Sequence, residues 1–426
     1  MKNAQTAVFS TRFVVCTAIL LLPGRHRPRI ASRYIQTVSP ARQLGFDILT
    51  AVARGGYASD LLAARAAPLD SRDAGLASEI VFGVLRYQAQ LDYLIERYSG
   101  KPAARLDDPV RLALRMGIYQ LRYLERVPAH AAVSESVDLI KRARKRSAAG
   151  FANAVLRKAD RAPVVWPSAA VELSHPAWLL ERWERQYGRE AAAAIARANL
   201  RVPETHVNPE TARIQDIGSQ SIVPLLRLAS GQTFLDLCAA PGNKTAQAMA
   251  AGVRAVACDI HAHRLALLKT LGNDLVVLDG TRPLPFRPRF DRILIDAPCS
   301  GTGTLAHNPE IKWRLQPADL PDLQARQVAL LEQGRRALAP GGLLVYSTCS
   351  LEYEENEDVV ATVPSALVVE TMRRIPGRDP GDGFFAAVIK ADAQPARLPP
   401  EKPGCVVTSA FGTSSLVLPS FNWLSS

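Results

Sequence analysis

The chain has 426 residues, enough for two or three domains. Its hydrophobic content of 48% and charged content of 22% are ordinary for a soluble globular protein, and its net charge of +12 favours a polyanionic partner such as nucleic acid. The six cysteines include no CxxC pair and no metal-ligand spacing. We therefore expect a reducing cytoplasm, with neither a disulfide framework nor a metal site.

Residues 1–39 are predicted to be a disordered N-terminal extension. The apolar run at residues 13–22 is too short to span a bilayer, so no membrane partner is expected. No acidic residue precedes Asp47 and arginines recur, a composition that transit and signal segments share. The proline-rich tail, residues 393–426, has no predicted function.

Residues 40–165 are predicted to form an all-α bundle. Pro109 stands where a helix can start, because its missing N–H is not needed there. No alternation typical of strands interrupts this part, so packed helices are the natural architecture. Apolar residues recur at the three- and four-residue steps of one helical face: Leu76, Ile80, Val84, Tyr87, Leu91 and Leu94.

Much of the excess positive charge falls in the second half of this bundle. Residues 101–165 carry 14 Lys or Arg and 6 Asp or Glu, an excess of eight positive charges. A solvated helix face is one interpretation of such a run, and a site for RNA phosphates is the other. The densest part comprises Lys141, Arg142, Arg144, Lys145 and Arg146, followed by Arg157 and Lys158.

Residues 166–212 are predicted to be a connector with one helix at 177–198. Residues 213–392 then alternate between short β-rich runs and helical stretches, with strands at 233–237, 255–260, 275–279, 291–296 and 343–348 and a helix at 324–338. This alternation predicts an α/β domain with a parallel sheet, in which ligands bind beyond the carboxyl ends of the strands.

Four aspartates lie at or near these strand ends: Asp236, Asp259, Asp279 and Asp296. A carboxylate at such a position can accept hydrogen bonds from a ribose diol or an adenine amino group. An anionic pyrophosphate would be repelled by this acidic rim, and the loop after Asp236 lacks the first glycine of a phosphate-binding loop. S-adenosylmethionine is therefore favoured over NAD as the cofactor.

Cys299 and Cys349 follow the fourth and fifth predicted strands, at the edge assigned to the cofactor. A buried small hydrophobe is the usual role of a free cysteine, and that interpretation suits Cys258 inside a strand. A cysteine thiolate could instead add to C6 of cytosine, which makes C5 nucleophilic toward a methyl sulfonium. The spacing alone leaves open which cysteine attacks.

These segments resemble the bacterial RsmB, or Sun, family of ribosomal RNA cytosine-C5 methyltransferases. The likeness extends over about residues 40–392. The helical part resembles the antitermination factor NusB. The matching segments are Leu235-Asp236-Leu237-Cys238-Ala239-Ala240-Pro241-Gly242, Asp296-Ala297-Pro298-Cys299-Ser300, Thr348-Cys349-Ser350, Ile311-Lys312-Trp313, Glu355-Asn356, Gly381-Asp382-Gly383-Phe384-Phe385, Phe82-Gly83-Val84-Leu85-Arg86, Pro128-Ala129-His130-Ala131-Ala132 and Asn153-Ala154-Val155-Leu156-Arg157.

The resemblance implies an S-adenosylmethionine-dependent enzyme that methylates RNA, with 16S ribosomal RNA as substrate. It implies that Cys349 is the nucleophile and that Cys299 assists product release. We expect a cytoplasmic monomer that binds RNA through its NusB-like domain. The implied cofactor site comprises Cys238, Ala239, Ala240, Pro241, Gly242, Asn243, Lys244, Asp259, Asp279 and Asp296.

Three features depart from the family pattern. Asn243 replaces a glycine of the cofactor loop, and Tyr353 replaces a proline. The connector is several tens of residues shorter than in relatives, which is expected to weaken RNA binding. Alternative interpretations are a methyltransferase acting on transfer RNA or protein, and an RNA-binding protein that has lost its activity. A protein N-methyltransferase would need no cysteine pair.

Overall fold

The computed structural model describes residues 38–287 and 289–391. The predicted extension falls almost wholly outside these residues, and the predicted tail falls outside them entirely. Residues 38–165 are all helical, as predicted. The α-helices of this part are α1 Pro40–Val52, α2 Ala58–Arg65, α3 Ser71–Arg86, α4 Gln88–Ser99, α5 Asp108–Tyr123, α6 Ala129–Arg142 and α7 Ala149–Leu156.

A single apolar core holds these helices together. The apolar residues predicted for one helical face do pack into this core. They belong to two helices, because α3 ends at Arg86 and α4 starts at Gln88. Ile80, Leu91 and Leu94 are completely buried in this core. Each such side chain contributes about 1.5–3 kcal/mol relative to an exposed position.

The connector contains more structure than predicted. Its helices are α8 Ala169–Glu172, α9 Ala177–Tyr187 and α10 Arg189–Asn199, so the single helix expected at 177–198 is divided. The break occurs at Gly188, whose φ of +87° ends α9 because side-chain-bearing residues rarely adopt that conformation. The buried face of α9 and α10 packs against Leu305, Leu351 and Ile375 of the following domain.

The rest of the chain forms a seven-stranded sheet with helices on its faces. The strand order is β3-β2-β1-β4-β5-β7-β6. The strands are β1 Thr233–Asp236, β2 Arg254–Asp259, β3 Asp274–Val277, β4 Phe290–Asp296, β5 Leu338–Thr348, β6 Val368–Arg374 and β7 Phe384–Lys390. The helices are α11 Ile217–Gln220, α12 Asn243–Ala250, α13 Ala262–Leu265, α14 Ile311–Arg314, α15 Leu320–Ala337 and α16 Glu357–Val360.

The predicted parallel sheet is confirmed for β1 to β5, and two further strands follow β5 at one side of the sheet. Strands β1 to β5 are parallel, whereas β7 is antiparallel to both β5 and β6. Strand β6 therefore runs in the same direction as β5, and β7 returns from β6 and inserts between the two. The sequence interpretation missed β6 and β7 altogether.

Two apolar layers cover the sheet. Helix α15 packs on one face, where Gly334 lies so close to Ile295 and Leu344 that a Cβ would be 2.6 Å from the Ile295 side chain. This packing fixes the carboxyl ends of β4 and β5 side by side.

None of the helices in the described ranges combines the length and apolarity that a bilayer crossing requires.

A neutral histidine is buried in the connector. The Nδ1 atom of His175 lies 2.6 Å from Leu173 O, and its Nε2 lies 3.3 Å from Asn199 Nδ2. One nitrogen therefore donates and the other accepts, as in an uncharged imidazole. Burial, and secondarily the charge of Lys312, lowers the pKa of His175 well below its ordinary value.

This histidine should destabilise the fold in acid. The unfolded chain protonates His175 near pH 6.5 and the folded chain does not, so stability is complete above that pH and falls below it. The slope should reach about 1.4 kcal/mol per pH unit. Urea unfolding between pH 8 and 5 should show this component in the wild type and lose it in His175→Gln. The exposed His130→Gln is the control, and equal slopes in wild type and His175→Gln would contradict the assignment.

Candidate active site

Strands β4 and β5 bring two loops together at one edge of the sheet. The two strands pair Asp296 with Ser347, so Cys299 and Cys349 follow them at nearly the same level. Their Sγ atoms are 3.4 Å apart, and both side chains are partly exposed. The structure thus joins the two cysteines that the sequence placed at neighbouring strand ends. Cys258, by contrast, is completely buried inside β2.

The thiol of Cys299 holds its proton tightly. Its hydrogen bond with Cys349 and, next, its burial raise the pKa of Cys299 well above the ordinary cysteine value, and the charge of Glu355 acts in the same direction. Either sulfur can be the donor of the contact that the two cysteines share.

A buried carboxylate connects the residues that follow the two cysteines. Glu355 accepts hydrogen bonds from Ser300 N at 2.8 Å and from the hydroxyls of Ser300 and Ser350 at 2.5 Å each. Gln327 Nε2 donates to the same carboxylate at 2.9 Å. The sequence interpretation named Glu355 only as part of a family segment and gave it no role.

Asn356 fixes the loop after β5 from the other side. Its Oδ1 accepts from Thr348 Oγ1 at 2.5 Å, and its Nδ2 donates to Ser350 O at 2.9 Å. These two bonds bracket Cys349. A further backbone bond, from Gly303 N to Cys349 O at 2.8 Å, ties the Cys299 loop to the same point. The cysteine backbone is therefore held on both sides.

The predicted cofactor loop is a tight turn between β1 and α12. Gly242 has φ of +100°, and a Cβ there would lie 2.6 Å from Leu268 Cγ, so both backbone and packing require glycine. Ala239 N donates to Cys258 O at 2.8 Å and anchors the turn to β2. The members of this turn are Cys238, Ala239, Ala240, Pro241 and Gly242, with Asn243 and Lys244 opening the helix.

Asn243 joins the cofactor loop to the residues that directly follow the connector. Its Oδ1 accepts from Arg213 Nε at 2.8 Å, and its Nδ2 donates to Ile214 O at 3.1 Å. A glycine at this position could make neither bond.

The strand-end aspartates have different environments. Asp259 is buried at the end of β2 and accepts from His261 N at 2.8 Å. Asp296 accepts from Lys244 Nζ at 2.6 Å and Ser347 Oγ at 2.8 Å, which links the cofactor loop to the cysteine loops. Asp279 lies two residues beyond the end of β3 rather than within it, and Thr281 lowers its pKa by donating to it.

The donor and acceptor set fits a nucleoside with amino and hydroxyl groups. Asp236 Oδ2 accepts from Thr245 Oγ1 at 2.7 Å, but its Oδ1 is buried without a hydrogen-bond partner among the described residues. Burial raises the pKa of Asp236 to about 7. An unmatched acceptor beside Cys238 and near Asp259 is what an amine or hydroxyl donor of S-adenosylmethionine would satisfy.

The Cys299 loop continues into a segment that is hydrogen-bonded to the helical domain. Arg86 Nη2 donates to Ala306 O at 2.9 Å, and in return Lys312 Nζ donates to Arg86 O at 2.9 Å. Trp313 Nε1 donates to Leu85 O at 2.7 Å. Lysine at the carboxyl end of α3 meets the partial negative charge of that helix terminus, which offsets part of its burial cost.

Two more charged side chains of this segment meet helix termini of the same domain. Arg314 Nη2 donates to Val52 O, at the end of α1, at 2.7 Å. Glu310 Oε1 accepts from Ala58 N, the first residue of α2, at 2.9 Å. Each charge has the sign that its helix terminus favours. The segment from Cys299 to Arg314 therefore connects the cysteine pair directly to the helical domain.

The basic run has both paired and unpaired members. Lys141 is 2.8 Å from Asp138, and Lys145 is 2.9 Å from Asp107. Arg144 and Arg146 are exposed, and neither has a carboxylate partner in the part of the chain that the structure describes. The two arginines are therefore the better candidates for contact with an external anion.

Comparison with known proteins gives matches in both parts of the chain. The model for 16S rRNA methyltransferase RsmB/F matches residues 223–367, and that for the NusB family matches residues 39–161. Ribosomal RNA small subunit methyltransferase B of Salmonella paratyphi B is 31% identical over 409 residues, covering 79% of this chain and 95% of the relative. The protein of that name from Salmonella enteritidis has the same identity and coverage.

Among solved structures, that of PH0851 has a TM-score of 0.68 at 20% identity and covers 83% of this chain and 99% of its own. That likeness supports the fold. The relatives are matched over almost their full length, and the methyltransferase and NusB models fall on the sheet domain and the helical bundle respectively. The chain therefore belongs to the RsmB/F family of 16S rRNA methyltransferases, with a NusB domain at its N-terminal side.

Proposed function

We propose that this chain transfers a methyl group from S-adenosylmethionine to C5 of a cytosine in RNA, with 16S ribosomal RNA as the substrate. The observation that carries the proposal is the 3.4 Å contact between Cys299 Sγ and Cys349 Sγ at adjacent strand ends. Methyl transfer to a nitrogen or oxygen needs no such pair. Methylation of a pyrimidine carbon uses one thiol as the nucleophile that activates the carbon, and a second thiol beside it can assist release.

The chemistry divides between the two sulfurs. The thiolate of Cys349 adds to C6 of cytosine, which turns C5 into an enamine-like carbon. S-adenosylmethionine supplies the electrophilic methyl carbon when it is bound. A base, which solvent water can supply, then takes the C5 proton. The electron pair of that C–H bond re-forms the C5–C6 double bond, and the C6–sulfur bond breaks and returns Cys349 as its thiolate. Cys299 assists this release.

The loops around the pair would orient the reactants. Asp236 and Asp259 would hold the cofactor by its amino and hydroxyl groups, and the turn at Gly242 brings the backbone close to it. The ion pair of Lys244 and Asp296 connects this turn to the end of β4, from which the Cys299 loop starts. A base must leave its stack to reach such a recessed site, so single-stranded or loop RNA is favoured.

The helical domain would supply phosphate contacts. Arg144→Ser with Arg146→Ser should weaken RNA binding and reduce the slope of affinity against salt by about two, one for each lost contact. The control is Arg185→Ser with Arg189→Ser, which removes the same charge from exposed positions of the connector. Filter binding at several salt concentrations is the measurement. An equal effect of both pairs would assign the loss to overall charge rather than to the basic run.

The cysteine roles predict two different mutant phenotypes. Cys349→Ala cannot form the bond to C6 and should neither methylate RNA nor crosslink to it. Cys299→Ala should still attack and transfer methyl but stall with RNA attached through Cys349. A denaturing gel after incubation with RNA and cofactor should show a slow, nuclease-sensitive band for Cys299→Ala alone.

Cys258→Ala is the matched control, since that cysteine is buried within a strand and away from the pair. It should lose some stability and keep turnover without a band. A stalled band in Cys349→Ala, and none in Cys299→Ala, would reverse the assignment. Turnover in both active-site variants would show that the pair is structural.

A further inference from the structure

Glu355 is a fully buried carboxylate whose four hydrogen-bond donors lie on three different segments. Its Oε1 accepts from Ser300 N and Gln327 Nε2, and its Oε2 accepts from the hydroxyls of Ser300 and Ser350. Ser300 directly follows Cys299, and Ser350 directly follows Cys349. The carboxylate therefore spans the two loops that carry the reacting sulfurs.

This carboxylate has no cationic partner among the described residues. A buried charge without a counter-ion is costly, even when it is hydrogen-bonded. Glu352, three residues earlier and equally buried, is instead paired with Arg182 and bonded to Trp183 Nε1. Two buried carboxylates thus lie in one loop, and the one beside the cysteines is the one left unneutralised.

We propose that Glu355 is a positioning residue of the methyl-transfer reaction, which locks the two cysteine loops to each other and places its carboxylate charge beside the Cys299 thiol. The inference rests on the proposed function, because it assumes that the cysteine pair reacts with RNA. It extends that function by assigning the geometry and charge state of the pair to one residue outside it.

The geometry supplies the first part of this role. Removing the carboxylate would leave Ser300 N without its acceptor and would leave Gln327 Nε2 with only its bond to Pro298 O. The loops would then be joined by the contact between the Ser300 and Ser350 hydroxyls and by the bonds from Gly303 N to Cys349 O and from Leu351 N to Thr302 Oγ1. A change of about 1 Å in the position of a reacting atom can cost ~100-fold in rate.

The charge supplies the second part. A negative charge next to a thiol opposes its ionisation, and Glu355 contributes to the raised pKa of Cys299. The other titratable groups facing the pair are the buried phenol of Tyr346, which donates to Glu355 O at 2.6 Å, and the ion pair of Asp296 and Lys244. Cys349 itself completes the set.

Glu355→Gln separates charge from shape. An amide oxygen in place of Oε1 can still accept from Ser300 N and Gln327 Nε2. An amide nitrogen in place of Oε2 can donate to the two serine hydroxyls, which rotate to accept. The variant should therefore fold and keep the loops joined while losing the negative charge. Glu355→Ala removes both the charge and the hydrogen bonds, and so tests whether joining the two loops matters.

The first experiment needs no RNA. The free enzyme is alkylated with iodoacetamide across pH 6 to 10, and the modified peptides of Cys299 and Cys349 are quantified by mass spectrometry. In Glu355→Gln the alkylation of Cys299 should move to lower pH, because its ionisation is no longer opposed. Glu352→Gln is the matched control and should keep the wild-type profile at a lower melting temperature.

The second experiment measures single-turnover methylation of RNA with the same variants. Glu355→Ala should lose ~10- to 100-fold in kcat because its loops are no longer joined, and Glu355→Gln, which keeps them joined, should lose less. The affinities for RNA and for S-adenosylhomocysteine should stay unchanged in both variants. Wild-type kcat together with a wild-type alkylation profile in Glu355→Gln would overturn the proposal. A wild-type enzyme that does not methylate RNA would refute the proposed function instead, and the alkylation profile would still test Glu355.

Discussion

The pairing of β4 with β5 is the constraint on which the rest of the site depends. Because Asp296 lies opposite Ser347, the two following loops start side by side and deliver Cys299 and Cys349 to a contact of 3.4 Å. Glu355 accepts hydrogen bonds from the two serines that follow the cysteines and so connects the two loops. The sheet sets the distance, and the buried hydrogen bonds remove the remaining freedom.

The segment that starts at Cys299 also connects the cysteine pair to the helical domain. Residues 299–314 begin at the cysteine pair and end with Lys312 and Arg314 against the carboxyl termini of α3 and α1. Lys312 is completely buried, and burial lowers its pKa well below the ordinary value. A group so costly to bury indicates a fixed junction between the domains, so RNA held by the bundle would be presented to the cysteines in one orientation.

The sequence predicts the parts of this molecule that have a strong local signature. Apolar periodicity identifies the helical bundle, and strand-end residues identify the edge where Cys299 and Cys349 meet. Strands β6 and β7 could not be predicted, because nothing local shows that β7 inserts antiparallel between β5 and β6. The break at Gly188 was within reach, since glycine often ends a helix. The role of Glu355 depends on contacts between segments far apart in sequence, which only the folded chain brings together.

Asn243 connects the cofactor loop to the stretch of chain that follows the connector. Its side chain bonds Arg213 and Ile214, which a glycine at this position could not do. The α9–α10 pair, packed against Leu351 and Ile375, further anchors the connector to the loop after Cys349.

The most direct test of this account is the position of the methyl group. Unmethylated 16S ribosomal RNA is incubated with the protein and S-adenosylmethionine carrying a labelled methyl, and the digested nucleosides are mapped by mass spectrometry. The account predicts label on 5-methylcytosine at a defined position, and none without the protein or with Cys349→Ala. Label on a different nucleoside, or on a ring nitrogen, would contradict the chemistry assigned to the cysteine pair.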